Sequence, residues 1–535
     1  MTFKPHWRSV AVFENEHTLR SFLVEKAEGQ FHDKYEQAIA DVRQEFGKKY
    51  SMVIGGREVR TSETFTHTSP IDTRIVLGYL PSGNATHVQQ AIKAAAKAFE
   101  NWSQTPYQER VRICRAAADI MSRRKFELAA WVSYENGKNR YEAIGDVDEA
   151  IDFIRYYSEE MERNNGFEVE TKSAQPGEKS KSVMKPFGVW GVIAPFNFPA
   201  AILVGMTIGA VITGNTVVLK PSSDAPIIAI KFAEIMKQAG LPDGVINLVV
   251  GSGSRVGQPM VESKELAGIV FTGSVEVGYN MSRQFSASRP RPVIAELGGK
   301  NPAIVAESAD LDRAIDGVLK AAFGYSGQKC SACSRVYVHK DIRKQFLDRL
   351  VQKTKSLPVG NPLDIHSFMG PLINESAYKN YQKYVRIASR SKSGRILAGG
   401  QVKKNGDLKY GYYVEPTIVW GLPKDHKLFK EELFVPILCV AEYDKFSDAM
   451  RLCNDSRYGL TAGIFSKDES EVKEFLDKIQ AGVVYVNRAA SATTGAMVGC
   501  QPFGGWKDSG TTGKGTGSRY YLMQFMREQS QTVVE

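Results

Sequence analysis

Two cysteines lie three residues apart in the segment SGQKCSACSR, residues 326–335. Cys330 and Cys333 could belong to a zinc site, form a redox pair, or combine one nucleophile with a packed neighbour. A structural zinc site takes four ligands, and the sequence offers neither a second CxxC nor a close pair of histidines, so we expect no metal. A thioredoxin-like pair opens a helix, whereas here a helical pattern precedes the cysteines and a strand pattern follows them. Taken alone, the remaining pattern fits a packing residue as well as a nucleophile.

Segments elsewhere in the chain decide between these possibilities. In chain order they are APFNFP (194–199), VVLKPSSDAP (217–226), FTGSVEVG (271–278), ELGGKNP (296–302), GQKC (327–330), EELFVP (431–436) and QPFGGWKDSG (501–510). This series resembles the aldehyde dehydrogenase superfamily, from about residue 70 to the C-terminus. No single motif is specific, but the ordered set is. The resemblance implies an α/β aldehyde dehydrogenase fold: a Rossmann-like NAD(P)-binding domain, an α/β catalytic domain and an oligomerisation flap.

The resemblance assigns the reacting groups of an aldehyde oxidation, which needs a thiolate, oxyanion donors, a hydride acceptor and a base. Cys330 matches the nucleophile, which would form a thiohemiacetal and then a thioester. Asn197 matches the amide that holds the oxyanion together with the backbone N–H of Cys330. Glu296 matches the base that activates water. Without the resemblance, Asn197 would be interpreted as a turn residue between two prolines, and Glu296 as an acid at a strand end.

A glycine turn after a strand pattern, FTGSVEVG, can present N–H groups to a pyrophosphate, although it lacks the GxGxxG fingerprint. The resemblance implies NAD(P)+ as cofactor and assigns to it Lys220, Ser222, Ser223, Gly253, Gly257, Phe271, Gly273, Ser274, Leu297, Glu432 and Phe434. Ser223 stands where strict NAD enzymes of the family often carry a glutamate that repels the 2′-phosphate of NADP+. We therefore expect a preference for NAD+ with some tolerance of NADP+.

Within the superfamily, GQKCSACSR and TTGAMVGCQPFGG (493–505) resemble the branch of L-glutamate γ-semialdehyde dehydrogenases, also called Δ1-pyrroline-5-carboxylate dehydrogenases. The resemblance implies oxidation of that semialdehyde to L-glutamate, the final step of proline breakdown. The substrate-binding residues it assigns are Gly495 and Ala496 for the α-carboxylate, Ser331 as a hydroxyl ligand, Phe198 and Phe503 for the aliphatic chain, and Glu142 for the ammonium group. Such a set suits an amino-acid aldehyde.

Three features depart from the branch's pattern. Val435 replaces a usual glycine, Leu297 replaces a threonine or cysteine, and the segment 487–496 is about three residues longer. One alternative is therefore an aldehyde dehydrogenase for another small aldehyde, such as succinic semialdehyde or an aliphatic aldehyde. A second alternative is a non-catalytic structural or binding protein on the same fold, against which the joint presence of Cys330, Glu296 and Asn197 argues.

These groups need a scaffold to position them. Helical spacing predicts helices between 86 and 137 and over 148–163, and the polar segment 171–189 predicts an exposed hairpin. From Trp190, and again after Asn301, strands alternate with helices, which indicates βαβ units and mostly parallel sheets. In the stretch 198–220 the uninterrupted apolar part ends at Gly214-Asn215, which is too short for a membrane span and predicts a buried helix followed by a strand. We predict an N-terminal helical region with the NAD(P)-binding domain (1–167 and 189–296), a catalytic domain (297–499), and a flap with the tail (168–188 and 500–535).

The composition fits a globular enzyme, since 535 residues with 43% hydrophobic content can form several cores. The net charge of +10 could suit nucleic acid, but the basic residues are scattered among 59 acidic ones, which favours an enzyme surface that attracts anionic ligands. Six cysteines are too few for a disulfide scaffold, and the N-terminus lacks an apolar signal core. We expect a cytoplasmic protein, or an organellar one if a targeting peptide was removed. We expect a homo-oligomer, with a proline dehydrogenase as a candidate partner.

Overall fold

A computed structural model of the chain describes residues 13–534. The absence of a secretory signal was predicted from the N-terminal segment, most of which lies outside the described residues. Residue 535 of the predicted tail also lies outside them. None of the described helices is both long enough and apolar enough to cross a membrane.

Helices and strands alternate over most of the described chain. The helices are α1 (Thr18–Val24), α2 (Glu28–Arg43), α3 (Ala85–Trp102), α4 (Tyr107–Arg123), α5 (Lys125–Asn136), α6 (Arg140–Arg163), α7 (Ala201–Ile212), α8 (Ile227–Gln238), α9 (Gln258–Glu262), α10 (Val275–Phe285), α11 (Leu311–Phe323), α12 (Arg343–Lys355), α13 (Glu375–Arg390), α14 (Lys427–Lys430), α15 (Phe446–Asn454) and α16 (Glu469–Lys478).

The strands are β1 (Lys48–Lys49), β2 (Met52–Ile54), β3 (Arg57–Val59), β4 (Thr64–Thr68), β5 (Val76–Pro81), β6 (Glu168–Thr171), β7 (Glu178–Pro186), β8 (Val189–Ile193), β9 (Thr216–Lys220), β10 (Ile246–Leu248), β11 (Gly268–Thr272), β12 (Val293–Glu296), β13 (Asn301–Val305), β14 (Cys333–His339), β15 (Arg395–Ala398), β16 (Thr417–Trp420), β17 (Ile437–Tyr443), β18 (Tyr458–Gly459), β19 (Thr461–Phe465), β20 (Val483–Val486), β21 (Trp506–Lys507) and β22 (Met526–Val534).

The first large sheet has the strand order β12-β11-β8-β9-β10-β2-β3. Strands β8 to β12 are parallel, and β2 joins β10 in the antiparallel sense. The chain moves outward from β8 to β10 and then returns to β11 on the other side of β8, so the strand order reverses between β8 and β11. Open α/β sheets bind ligands outside the carboxyl ends of their strands at such a reversal. The fold therefore prepares a binding crevice beside residues 193 and 272.

The second large sheet has the order β15-β16-β17-β14-β13-β19-β20 and is parallel except at β15. Its strands are apolar on both sides, as expected of a parallel sheet covered by helices. Ile304 of β13 and Tyr337 of β14 belong to one buried cluster, while Val305 and Val336 belong to the cluster on the opposite face. The alternation predicted after residue 301 is confirmed.

One of the two three-stranded sheets, with the order β22-β7-β6, joins two distant segments. Strands β6 and β7 form the predicted hairpin, and β22 pairs with the whole length of β7, from Met526 opposite Pro186 to Val534 opposite Glu178. Most of β6 and β22 is exposed. The function of this sheet as a flap, and the domain boundaries, stay predictions.

Helix α6 begins at Arg140, earlier than the predicted residue 148. Asn139 explains the difference, because its side-chain oxygen accepts a hydrogen bond from the N–H of Glu142 (2.9 Å) and so caps the first turn. Helix α7 is the predicted buried helix, followed by β9. A Cβ at Gly205 would lie 3.0 Å from the ring of Phe153, so a glycine lets α7 pack closely against α6.

Candidate active site

A cavity of about 340 Å³ lies where the carboxyl ends of β11 and β12 face the segment before β14. It is lined by ten of the residues predicted from the sequence: Glu142, Phe198, Phe271, Glu296, Leu297, Cys330, Ser331, Gly495, Ala496 and Phe503. Residues from both large sheets, from α6 and from the C-terminal part of the chain thus meet at one place. Apolar side chains such as Ile202 and Met206 complete the lining, and such surroundings strengthen electrostatic interactions inside the cavity.

The loop that carries Cys330 is held in one conformation. Tyr325 and Ser326 have φ angles of +47° and +54°, in the left-handed region that costs energy for residues other than glycine. The Ser326 hydroxyl donates to the carbonyl of Gly370 (2.7 Å), and the Asn301 amide donates to the carbonyl of Cys330 (2.7 Å). These bonds offset the strain and fix the position of the thiol, between α11 and β14 as predicted.

The surroundings of Cys330 oppose its ionisation. Burial raises the pKa of its thiol to about 12, and the carboxyl groups of Glu432 and Glu296 act in the same direction. The backbone N–H groups of Ser331 and Cys330 lower the pKa. At neutral pH the thiol therefore holds its proton until a base removes it. Cys333 differs, because it is buried in β14 and its thiol donates to the carbonyl of Arg335 (3.5 Å), as a packed neighbour would.

Glu296 is the last residue of β12, where it lies beside Thr272 of β11. One of its oxygens accepts a hydrogen bond from the N–H of Gly505 (3.3 Å). Burial raises the pKa of Glu296 well above the usual range for a carboxyl group, and the Gly505 N–H opposes this shift. A carboxyl group in such surroundings is a stronger base than one in water, which suits proton removal near neutral pH.

Asn197 follows the carboxyl end of β8, at the point where the strand order of the first sheet reverses. It is 3% exposed, and its side-chain amide has no hydrogen-bond partner among residues 13–534. The preceding carbonyl, that of Phe196, accepts from the Asn136 amide (3.3 Å), which restrains the backbone. The amide atoms are not fully buried, so they are open to solvent or to a ligand. This placement suits an oxyanion donor, although the assignment stays a prediction.

Five predicted cofactor residues lie at or after the carboxyl ends of β9 and β10, namely Lys220, Ser222, Ser223, Gly253 and Gly257. Burial lowers the pKa of Lys220 to about 8, and its ammonium group donates to the carbonyl of Pro221 (2.9 Å). A Cβ at Gly257 would lie 3.7 Å from the Lys220 side chain, and the Ser223 hydroxyl donates to the carbonyl of Gly251 (3.1 Å). The group therefore forms one compact edge of the crevice.

A second cleft, of about 750 Å³, is lined by Ser274 and Glu432. The Ser274 hydroxyl accepts from the N–H of Val277 (3.4 Å) at the start of α10, where free N–H groups favour an anion. Glu432 accepts from the N–H of Gly299 (2.9 Å), and burial raises its pKa to about 7. A Cβ at Gly298 would collide with the Glu432 carboxyl group. The free N–H groups at the start of α10 fit a phosphate group of a dinucleotide. The Glu432 carboxyl group, which the Gly299 N–H holds, fits a ribose.

Besides the five residues at β9 and β10, three more predicted residues do not line either cavity: Asn197, Gly273 and Phe434. Gly273 lies between the lining residues Thr272 and Ser274. Phe434 has a φ of +57°, and its ring packs edge-on against Phe196 at 5.8 Å between centroids. Their assigned contacts with cofactor and substrate stay predictions.

The loop before the C-terminal glycine-rich segment is braced from two sides. The Arg488 guanidinium donates to the carbonyls of Thr494 (2.5 Å) and Gly495 (2.6 Å), and the Thr493 hydroxyl donates to the carbonyl of Ser331 (2.7 Å). Gly495 has a φ of +86°, which favours glycine. The N–H groups of Gly495 and Ala496 form no backbone hydrogen bond with a described residue. Two free donors at the cavity wall suit a carboxylate ligand, as predicted for this loop.

The two acids that α6 contributes to the cavity differ in their partners. Glu142, predicted to bind an ammonium group, already accepts from the Lys329 ammonium (2.6 Å) and from the N–H of Tyr325 (3.0 Å). Glu149 lies two turns further along the same helix face and has no ion pair or hydrogen bond within the described chain. Burial raises its pKa to about 8. Glu149 is therefore the carboxyl group without a partner in this cavity, and an ammonium group bound beside it would favour its ionised form. The role given to Glu142 stays a prediction.

Sequence reasoning missed Glu149 and also Lys138. Lys138 is buried, forms an ion pair with Asp146 (2.8 Å), and lies 3.8 Å from the centroid of the Phe198 ring at the cavity wall. The spacing of seven residues between Glu142 and Glu149 could have revealed the second acid, because residues so spaced share a helix face. No sequence signal points to Lys138, which lies in the connection between α5 and α6.

A group of possible metal ligands lies outside this cavity. Glu307, His339 and Asp341 place ligand atoms within 4.8 Å of one another. Both acids are exposed. The two ring nitrogens of His339 already face the N–H of Asp341 (3.5 Å) and the carbonyl of Asp444 (3.1 Å). These three side chains therefore do not form a prepared metal site.

Comparison with known proteins agrees with this geometry. The model of the aldehyde dehydrogenase family matches residues 58–531. The 1-pyrroline-5-carboxylate dehydrogenase of Geobacillus thermodenitrificans (strain NG80-2) is 39% identical over 504 residues, which cover 93% of this chain and 95% of that relative.

Solved structures extend the similarity to the fold. A 1-pyrroline-5-carboxylate dehydrogenase from Thermus with bound NAD has a TM-score of 0.92 at 36% identity, covering 98% of this chain and 100% of that one. Proline utilization A from Bdellovibrio bacteriovorus has a TM-score of 0.91 at 35% identity, and the match covers all of this chain but 54% of that one, so this chain spans about half its length. The predicted fold class is confirmed, and the chain belongs to the aldehyde dehydrogenase family.

Proposed function

We propose that this protein oxidises L-glutamate γ-semialdehyde, the open form of Δ1-pyrroline-5-carboxylate, to L-glutamate with NAD+ as acceptor. The observation that carries the proposal is the cavity itself. It combines a thiol and a base, Cys330 and Glu296, with free N–H donors at Gly495 and Ala496 and a free carboxyl group at Glu149. The similar proteins from Geobacillus and Thermus are both named 1-pyrroline-5-carboxylate dehydrogenase, which is the enzyme of this reaction.

The reaction begins at the thiol. Once its proton has left, the Cys330 sulfur adds to the aldehyde carbon, and the carbonyl oxygen becomes the oxyanion of a thiohemiacetal. The Asn197 amide and the backbone N–H of Cys330 donate to this oxyanion. When bound, NAD+ supplies the acceptor for the hydride that leaves the substrate carbon. The organic group then remains on Cys330 as a thioester.

Hydrolysis of the thioester depends on Glu296. Its carboxylate removes a proton from water, whose oxygen attacks the thioester carbon, and the bond to sulfur breaks. The products are the carboxylate of L-glutamate and a free Cys330, while one proton is released to solvent. The raised pKa of Glu296 matches this task because a stronger base removes the proton of water more readily.

The rest of the substrate matches the far side of the cavity. The N–H groups of Gly495 and Ala496 would bind the α-carboxylate, with the Ser331 hydroxyl beside them. The rings of Phe198 and Phe503 would hold the methylene groups. The ammonium group would lie against α6, where Glu149 is free and Glu142 is held by Lys329. An aldehyde without these two charges would lose the contacts of this end.

A panel of aldehydes tests the proposal, with the initial rate of NADH formation as readout. We expect kcat/KM for Δ1-pyrroline-5-carboxylate to exceed that for succinic semialdehyde, propanal and pentanal by at least about tenfold, because two charged ends are recognised. A higher kcat/KM for succinic semialdehyde or pentanal would assign the protein to another aldehyde. Absence of turnover with every aldehyde would instead support a non-catalytic protein on this fold.

The cofactor proposal rests on Ser223 as well as on the residues of the two clefts. Ser223 carries no charge that would repel a 2′-phosphate, and Lys220 lies close to it at the same strand end. We therefore propose NAD+ as the preferred acceptor with measurable activity towards NADP+. Comparing kcat/KM for the two cofactors in the wild type and in Ser223→Glu tests this, since the added carboxylate should abolish the NADP+ activity selectively.

We further propose a homo-oligomer that assembles through the sheet of β6, β7 and β22. Val169, Val533 and Val534 are exposed large apolar residues on its outer strands, which is unfavourable in water without a covering partner. Light scattering of the wild type and of Val533→Lys tests this oligomer interface.

A proline dehydrogenase is a proposed source of substrate, because the longer Bdellovibrio protein is named for proline utilization. The need for a free thiol at Cys330 fits a reducing, cytoplasmic-type compartment.

A further inference from the structure

The N-terminal segment of residues 13–18, here called the strap, lies across α6 and the loop that follows Ala496. Its central contact is the Asn15 side chain. The Asn15 amide nitrogen donates to the Asp152 carboxylate on α6 (2.8 Å) and to the carbonyl of Val498 (3.0 Å). The Asn15 amide oxygen faces the Cys500 thiol (3.5 Å). One side chain near the N-terminus therefore ties together elements that lie 137 and 483 residues away in the chain.

Apolar packing supports the same link. The Phe13 ring packs edge-on against Tyr156 of α6, with 5.3 Å between centroids. A Cβ at Gly499 would lie 3.0 Å from the Phe13 ring, so the strap contacts the loop backbone directly. Gly499 has a φ of +75°, a conformation that favours glycine. The Tyr156 ring would lie 3.1 Å from the same Cβ, so strap, helix and loop meet at Gly499.

The two elements that Asn15 joins hold opposite charges of the proposed substrate. Helix α6 carries Glu149, three residues before the Asp152 that Asn15 contacts. The loop carries Gly495 and Ala496, two residues before Val498. A further cavity, of about 330 Å³, is lined in part by Glu16 and His17 of the strap and shares Gly145, Glu149, Ala496 and Met497 with the active-site cavity. The strap therefore borders the region where ammonium and carboxylate would bind.

Other bonds brace these elements separately but do not span them. Arg488 and Thr493 hold the loop from the side of Cys330. On the other element, the Thr18 N–H and hydroxyl donate to the Asp148 carboxylate of α6 (3.0 and 2.7 Å), without any contact to the loop. Within the described chain, Asn15 is the side chain whose hydrogen bonds join α6 to the 496–500 segment.

We propose that Asn15 is a positioning residue that sets the distance between the ammonium-binding acid on α6 and the carboxylate-binding N–H groups of the loop. It touches neither substrate nor cofactor and acts through Asp152 and Val498. The effect should appear only for a substrate that spans both sites, since a misplaced pair of contacts weakens a ligand that must satisfy both at once. The inference rests on the proposed function.

The test uses the full-length chain, three variants and three aldehydes. Asn15→Ala removes the link, Asn15→Asp keeps the shape but removes both donors, and Thr18→Val is the matched control that loosens the strap without touching the loop. The aldehydes are L-glutamate γ-semialdehyde with both charges, 5-oxopentanoate with the carboxylate alone, and pentanal with neither. Circular dichroism and thermal unfolding establish that each variant is folded.

For Asn15→Ala we expect a rise of about tenfold in KM for the semialdehyde with kcat retained, as the loss of one or two hydrogen bonds would give. Asn15→Asp should show an equal or larger rise, because its carboxylate would face Asp152. The change for 5-oxopentanoate and pentanal, and for Thr18→Val with every aldehyde, should be less than about twofold. Equal losses for all three aldehydes would make Asn15 merely structural, and no loss would overturn the inference. If the wild type itself does not prefer the semialdehyde, the proposed function fails instead.

Discussion

The two ends of the active-site cavity are built in different ways. The reacting end takes Asn197, Glu296 and Cys330 from positions beside the ends of strands in the two large parallel sheets. The amino-acid end, where the ammonium and α-carboxylate groups would bind, takes Glu149 from α6 and Gly495 and Ala496 from a long loop, and the N-terminal strap braces both elements. Sheets fix their strand ends by many cooperative hydrogen bonds, whereas the second end depends on a few side-chain contacts such as those of Asn15 and Arg488. The chemistry is therefore held rigidly, and substrate selection depends on parts that can vary separately.

The largest effect should follow a change at the reacting end. Cys330→Ser should lower kcat at least about 10⁴-fold with every aldehyde, because a hydroxyl group in the same surroundings does not ionise and cannot form the thioester. Cys333→Ala is the control, since that thiol is buried and bonded to the carbonyl of Arg335. Steady-state NADH formation measures both. Retention of a tenth of the activity in Cys330→Ser would show that another residue attacks the aldehyde.

The next largest effect concerns Glu296. Glu296→Gln should lower kcat about 10²- to 10⁴-fold, because thioester hydrolysis loses its base while the earlier steps continue. The reaction should therefore show a rapid burst of NADH equivalent to the enzyme, followed by a slow phase. Stopped-flow measurement and mass spectrometry of the acylated Cys330 distinguish the steps. A uniformly slow reaction without a burst would place Glu296 in an earlier step.

The residues of the reacting end could be assigned only from the ordered set of motifs, because each motif alone is ambiguous, and their roles stay predictions. Each of the segments around Asn197, Glu296 and Cys330 follows or precedes a strand in a fixed way, and parallel sheets bring such ends together. The alternation of apolar runs also revealed both sheets and the buried helix α7. The short strands β1 to β5, in contrast, could not be predicted. They are two to six residues long, and their pairing with distant partners such as β10 leaves little pattern in the sequence.

The amino-acid end was predicted only in part. The loop residues Gly495 and Ala496 could be assigned from the resemblance. The state of Glu142 could not, because its pairing with Lys329 depends on a contact across 187 positions of the chain. Glu149 had the correct spacing for the same helix face, yet only the structure shows that it is unpaired. The strap contacts of Asn15 are the extreme case, since no periodicity or composition links the N-terminus to residue 498.

The same substitution in the two acids of α6, Glu149 and Glu142, tests which of them binds the ammonium group. Glu149→Gln should raise KM for L-glutamate γ-semialdehyde about 10- to 100-fold, since a hydrogen bond to a charged group is worth about 1.5–3 kcal/mol. The same change should leave 5-oxopentanoate, which lacks the ammonium group, nearly unaffected. Glu142→Gln removes the partner of Lys329, beside the nucleophile, and should instead lower kcat for both aldehydes. If Glu142→Gln gave the selective rise in KM, the ammonium site would belong to Glu142, as the sequence predicts.

The smallest expected effect is on stability, and it follows from the same free carboxyl group. Burial raises the pKa of Glu149 to about 8 in the folded protein, from the 4.5 of an exposed glutamate. Between about pH 5 and pH 8 the folded state therefore holds a proton that the unfolded chain has lost, so the free energy of unfolding contributed by this group falls as the pH rises. Glu149→Gln removes this dependence.

At pH 8 the Glu149→Gln variant should exceed the wild type in the free energy of unfolding by on the order of 1 kcal/mol, and at pH 5 the two should be nearly equal. Thermal unfolding at both pH values measures this difference in the free energy of unfolding. If the variant were more stable by the same amount at both pH values, the removal of a buried charge would not be the cause. The exposed acid Glu307, also changed to glutamine, is the control and should show no such difference. A gain in stability together with a loss of substrate selectivity would mean that the amino-acid end holds an unpaired acid at a cost to the fold. The reacting end has a comparable cost at Glu296, because burial also raises the pKa of that carboxyl group. Each end would therefore keep a buried carboxyl group that lowers the stability of the fold and serves the reaction.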